Sequence, residues 1–222
     1  MSWLKRTLSS SSGRKWLVAL SGLGLILFLV IHLLGNLQIF LPDESFNEYA
    51  HHLHDGLLIV IGDVGLLVLF PLHIGLVIWL ARENRKARGA TGYKAPMTAT
   101  KQKRSFARVL ASKTTLYIGL VLLVFVAIHV WQFRLHHSEI GNLRGAILET
   151  LANPMWAIFY VLGSLATGWH VFHGFQAAFR SLGFTHNRFT PALVNLGTAL
   201  ALLFAIGFSS IALWIVIAQP HI

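Results

Sequence analysis

Two histidines, His170 and His173, lie well inside an apolar run from Asn153 to Gly183. That run is long enough to cross a bilayer, which takes about 20 residues, and an ionisable side chain within such a run is costly enough to point to function. Residues on the same helical face as His170 are Gly163, Ala166, Thr167, Gly174 and Ala177. A stripe of small residues admits close approach of another helix, and it equally leaves a flat slot for a macrocycle. His173 shares its face with Trp169, Gln176 and Arg180, a larger and more polar stripe. His170 is therefore the better ligand candidate, and His173 a candidate either to meet an acidic side group of the macrocycle or to hydrogen-bond a neighbouring helix. Three further apolar runs carry one histidine each: His32, His73 and His129.

The elements that must position these histidines follow from composition. The chain has 222 residues, 55% hydrophobic and 12% charged, with a mean hydropathy of +0.64. That is membrane composition rather than a soluble core. The pattern predicts an all-α integral membrane protein, a single membrane-embedded domain over residues 1–222. It has five transmembrane helices at about 16–40, 57–81, 114–133, 154–180 and 192–218, four of them forming the histidine-bearing bundle. The first run stands where a signal peptide would, but it is too long and lacks a small-x-small cleavage site, so it reads as an uncleaved span. Pro71 is a candidate kink in the second span. Residues 42–56 and 134–153 read as polar or nearly neutral connections, and the fifth span has no intramembrane histidine.

Charge orients the spans. Residues 1–15 carry Lys5, Arg6, Arg14 and Lys15; residues 82–113 carry ten Lys or Arg against Glu83 alone; Arg180 and Arg188 flank the last turn. These segments alternate with acidic or neutral ones, and positive segments stay on the cytoplasmic side, so the N-terminus is expected there. The basic 82–113 segment serves this topology, and its sharper alternative is a docking surface for a cytoplasmic partner. Orientation turns position into depth. His32 and His129 fall late in outward-running helices, His73 and His170 late in inward-running ones. Each pair is then expected about 10–15 Å from its nearer surface, and the helices of each pair are diagonal neighbours in an up-and-down bundle.

Two facing imidazoles with no thiolate or carboxylate beside them suit bis-histidine ligation of a haem iron, whereas zinc usually recruits third and fourth ligands. The competing reading is structural histidines hydrogen-bonded between helices. The chain contains no cysteine. That excludes disulfides, thiolate metal sites and iron–sulfur clusters held by this chain, and it makes any haem non-covalent. The other histidines, His51, His52, His54, His136, His137, His186 and His221, lie in connections or at ends, where solvated histidine is the default.

Several stretches carry a family resemblance. They are SSSGRKWLVALSGLGLILFLVIHLLGNLQIF near the start, FPLHIGL in the second span, ASKTTLYIGLVLLVFVAIHVWQF in the third and HVFHGFQAAFRSLG in the fourth. With its HLLGN and H-x-x-x-G elements, the chain resembles the di-haem cytochrome b membrane-anchor subunit of succinate:quinone oxidoreductases, that is, succinate dehydrogenase and fumarate reductase. The resemblance implies two b-type haems, one on His73 and His170 near the cytoplasm and one on His32 and His129 near the outer face. It implies a flavoprotein subunit and an iron–sulfur subunit as partners, a quinone of menaquinone type as substrate, and a bacterial plasma membrane. This chain would then be the electron-transfer anchor, without a catalytic site for succinate and without nucleic-acid partners. Some fumarate reductases of the group carry a membrane glutamate two residues before the fourth-span ligand. Here that position is Gly168, so the chain is closer to the succinate dehydrogenase branch.

Stacked haems imply electron transfer across most of the membrane, which places the quinone near the outer pair. Asn36 and Gln132 are candidate hydrogen-bond partners for its oxygens, and His54 and Asp55 candidate proton relays. The bland alternative for these four is that they satisfy helix ends. A cytoplasmic site near Ser11 and Arg14 is the rival. Two other functional classes compete: a cytochrome b anchor of a different enzyme, such as a hydrogenase or formate dehydrogenase, and a transporter using buried histidine and Asp63. Asp63 lies early in its span and is expected to reach interfacial water.

Overall fold

The computed structural model describes residues 10–41, 43–88, 106–136 and 143–218, without the side chains of 43, 44, 53–55, 58, 88 and 106–113. Among the described residues there is no strand. The chain order is α1 (Ser11–Asn36) with a 3-10 turn (Leu37–Phe40), α2 (Asp43–Asp55), α3 (Leu57–Arg88) and α4 (Phe106–Val130) with a π turn (Trp131–His136). Then follow α5 (Leu143–Ala152), α6 (Pro154–Ser181) and α7 (Thr190–Ala218). Five of these, α1, α3, α4, α6 and α7, are long and apolar enough to cross a membrane, the expected number. The helix of α3 continues through Pro71 to Arg88, past the expected end near residue 81.

The two connections expected between spans are partly helical. Both α2 and α5 lie at the end of the bundle where α1 and α4 finish and α3 and α6 begin. Buried Phe46 of α2 joins Ile147, Leu148 and Leu151 of α5 in one apolar cluster with Ile39, Tyr160 and Ile215. The Arg144 backbone N–H donates to Asn47 Oδ1 at 3.3 Å. Each of these helices has an apolar face that the polar residues around it obscured in the sequence. Together they cap one end of the bundle, the α2/α5 end.

Local chemistry sets the helix limits. Ser10 Oγ accepts from the Gly13 N–H at 3.0 Å to cap α1, and Asn153 Oδ1 accepts from the Met155 N–H at 2.9 Å ahead of Pro154. Gly183, at φ 89°, closes α6. The Phe184 N–H returns to the Phe179 carbonyl at 3.0 Å and the two rings meet at 6.0 Å, a left-handed stop that glycine makes without strain. Within the spans, Ser164 and Thr167 donate to the carbonyls four residues earlier, which satisfies these two hydroxyls in an apolar medium.

Helix α6 is the hub. It packs on α7, α4 and α1, and α1 also packs on α3 and α7. The α6–α7 approach is close enough that a Cβ on Gly168 would stand 2.6 Å from the Ala201 carbonyl oxygen, so only glycine fits there. Helices α3 and α4 flank this centre and, among the described residues, do not pack closely on each other. The diagonals are α1 with α4 and α3 with α6, as expected. Both flanking helices present apolar side chains outward, Leu67 and Val121 among them, as lipid-facing helices do.

Candidate functional site

The four span histidines meet as two pairs. The ring centres of His32 and His129 are 5.7 Å apart with planes at 83°. Those of His73 and His170 are 6.5 Å apart with planes at 76°. All four side chains are half-buried. His170, not His173, is the ring opposite His73, which agrees with the stripe of small residues on its face. That stripe is not open throughout, because Gly163 abuts the Phe125 ring, while nothing lies within 4 Å of a Cβ on Gly174.

The two pairs lie at different levels. His73 sits against Gly22 of α1, and His170 against Gly119 of α4. The His129 ring meets the Tyr160 ring of α6 at 5.9 Å. His32 follows Gly22 by ten residues, His129 follows Gly119 by ten, and His170 follows Tyr160 by ten. Three helices thus give one spacing between levels, which at about 1.5 Å per residue is ~15 Å. The His32/His129 pair is the one nearer the α2/α5 end.

The pairs fit the ligation of one metal ion each. Two imidazoles bound to one ion at about 2 Å, each ring centre ~1.1 Å behind its nitrogen, hold their centres ~6 Å apart. The observed separations bracket that distance, and near-perpendicular ring planes are compatible with a shared axis. The Nδ1 atoms of His129 and His170 are buried without a hydrogen-bond partner. The Thr115 backbone lies beside the His170 ring without forming a bond of good geometry to Nδ1. At Nδ1 of His129 the competing reading, a structural histidine, finds no partner among the described residues. Among the described residues, no three His, Asp or Glu side chains converge as a metal-binding group.

The surroundings of the His32/His129 level are aromatic. Phe28 stacks on His32 at 5.2 Å and Phe208 approaches it at 5.7 Å. Phe125, Phe133 and Tyr160 surround His129 at 6.1, 5.6 and 5.9 Å. Asn36 Nδ2 donates to the His32 carbonyl at 2.8 Å and stands 3.4 Å from both ring nitrogens. Gln132 is 7% exposed, and its Oε1 accepts from the Tyr160 hydroxyl at 2.7 Å. Asn36 therefore adjoins this pair and Gln132 reaches it through Tyr160, and each already has a protein partner. Gln132 lies in the π turn that follows Val130. His54 and Asp55 close α2 at this same end, and their side chains lie outside the described residues.

The His73/His170 level is built differently. Ser21 Oγ lies 3.2 Å from His73 Nδ1, and a Cβ on Gly22 would stand 3.1 Å from His73 Cε1. Further along α1 and α3, Arg14 pairs with Glu83 and lies 4.5 Å over the Trp79 ring, and Trp79 Nε1 donates to the same carboxylate at 3.0 Å. Asp63 does reach an exposed position, where it is ion-paired with Arg134 at 2.7 Å. Tyr160 and Ser21 are the residues that sequence reasoning missed. Tyr160 had a signal, since it lies ten residues before His170 on the helix that also borders the other pair. Ser21 had none, because a serine in a span is ordinarily satisfied by its own helix. No family model, curated protein or solved structure matches the chain.

Proposed function

We propose that this chain is the membrane anchor and electron-transfer subunit of a succinate:quinone oxidoreductase of the succinate dehydrogenase branch. His73 and His170 would hold one b-type haem, and His32 and His129 the other. The observation that carries the reading is the pair of histidine pairs, each at a separation that suits two axial ligands, set one above the other in an apolar bundle. Haem supplies a reversible one-electron carrier. The chain's own part is to hold the imidazoles, keep water away from them with apolar walls, and space the two levels. Gly168 is consistent with the dehydrogenase branch, because the carbonyl of Ala201 leaves no room for a side chain at that position.

In this reading the α2/α5 end faces outward. Sixteen of the eighteen Lys and Arg residues lie in 1–15, 82–113 and 180–188, which leaves Arg134 and Arg144, while Glu83 is the single acid of those three segments. Positive charge held on the cytoplasmic side of a bacterial plasma membrane places the His73/His170 pair nearer the cytoplasm. Electrons would enter there from an iron–sulfur subunit served by a flavoprotein. They would leave to a quinone of menaquinone type near the His32/His129 pair, within reach of Asn36 and of Gln132, which Tyr160 holds in place.

Purification of the complex in mild detergent tests this. Two haems b per chain by pyridine haemochrome assay are expected, with a flavoprotein and an iron–sulfur protein copurifying and succinate reducing the haems. A haem ratio of one or zero would sink the two-site reading. Hydrogenase or formate dehydrogenase subunits in place of the flavoprotein would move the chain to another enzyme.

A further inference from the structure

The histidine pairs differ in what their second nitrogens meet. His73 Nδ1 has a buried hydroxyl partner, Ser21 Oγ at 3.2 Å, reached across from α1. Ser21 is 2% exposed, and its own hydrogen goes to the Val18 carbonyl at 3.1 Å. A hydroxyl that has given its hydrogen away can offer a neighbour only a lone pair. The Val18 carbonyl also faces the His73 ring and is an acceptor too. The ring therefore meets this side as a donor, its hydrogen on Nδ1, and Nε2 keeps its lone pair. By contrast the Nδ1 atoms of His129 and His170 are buried without a partner, and His32 faces the amide nitrogen of Asn36, a donor rather than an acceptor.

We infer that Ser21 is a positioning residue for the His73/His170 site. It fixes the tautomer and orientation of His73 and lowers the reduction potential of the haem held there. The inference rests on the haem reading proposed above. A hydrogen bond from Nδ1–H to an acceptor raises the electron donation of Nε2, which favours the oxidised iron. Gly22, next to Ser21, supports the same ring from the side, because its hydrogen leaves the room that His73 Cε1 takes.

The test is a potentiometric titration of the purified complex, following each haem by its optical band and electron paramagnetic resonance signal. The wild-type complex comes first, and absence of haem at this site there overturns the reading beneath the inference. In Ser21→Ala, the potential of the His73/His170 haem should rise while that of the other haem stays in place. Ser21→Thr, which keeps the hydroxyl, should stay close to wild type. Loss of only this haem in Ser21→Ala with retention in Ser21→Thr also supports the role. An unchanged potential in Ser21→Ala with both haems present overturns it. So does loss of the haem from both variants, since the site would then need the size of serine and not its hydrogen bond.

Discussion

Around His32 and His129 the neighbours are rings, and around His73 and His170 they are a hydroxyl and two glycines. Phe28, Phe125, Phe133, Tyr160 and Phe208 wall the first pair. Among the described residues, the second pair makes its ring contact only with itself. The first level is thus held by volume, with side chains that fill space and exclude water. The second is held by access, with Gly22 and Gly119 letting the rings sit against backbone, and by the bond to Ser21. On the proposed haem reading, the two centres would respond to different levers, burial at one level and hydrogen bonding at the other.

The largest expected effect separates the levels outright. On the proposed haem reading, His73→Ala or His170→Ala should halve the haem content by removing the His73/His170 haem, and His32→Ala or His129→Ala should remove the other. Loss of one axial imidazole leaves the iron five-coordinate or the haem unbound. Low-temperature spectra of the four variants check it. A His173→Ala variant that loses the haem while His170→Ala keeps it would reverse the ligand assignment.

A second contrast tests volume against access. Gly163→Ala would drive a Cβ into the Phe125 ring, and that ring stacks on His129. Overpacking of this kind costs about 1–3 kcal/mol, and the damage should fall on the His32/His129 level. Gly22→Ala brings a Cβ to 3.1 Å from His73 Cε1, a contact that a small ring shift relieves, so its effect should be smaller and confined to the other level. Thermal denaturation in detergent, with haem spectra recorded for each level, reads both. Equal effects at both levels would remove the distinction.

The spans were legible in the sequence because hydropathy over twenty or so residues is a long signal, whereas the helices at Ser11 and Arg88 run beyond the apolar runs into polar residues. The histidine pairing was legible because depth is fixed once direction is fixed. The helices α2 and α5 were not, since a short helix lying across the end of a bundle looks polar when only its few apolar residues are buried. The π turn was invisible for a related reason: it inserts no special residue. Side-chain partners between helices, Ser21 with His73 and Tyr160 with Gln132, depend on rotation about the helix axis, and no local pattern records that angle.

The buried Tyr160–Gln132 bond gives a third, smaller effect. Tyr160→Phe leaves Gln132 Oε1 without its donor in a site that is 7% exposed. Leaving one such group unpaired should cost about 1 kcal/mol, polar contacts inside membranes being modest. Adding Gln132→Leu should recover part of that loss, which a double-mutant cycle on thermal stability measures. Additive losses would mean that the two residues do not act as a pair.

The smallest effect concerns how α3 and α4 are held at the α2/α5 end. Among the described residues they do not pack closely on each other, and the ion pair of Asp63 with Arg134 at 2.7 Å joins them there. Both side chains are exposed, so the pair is worth about 0–1 kcal/mol, and salt should screen it. Its position gives it a direction. Arg134 follows His129 by five residues in the same continuous helix, whereas His73 lies ten residues beyond Asp63 along α3. Asp63→Lys should therefore loosen the His32/His129 level slightly, most clearly at low ionic strength, and leave the His73/His170 level unchanged. The exchanged variant, Asp63→Lys with Arg134→Asp, restores opposite charges across the same gap and should recover the loss. Haem retention at each level during a detergent challenge, run at two salt concentrations, reads this. A larger change at the His73/His170 level would show that the ion pair acts along α3 instead, and that the two levels are coupled through that helix.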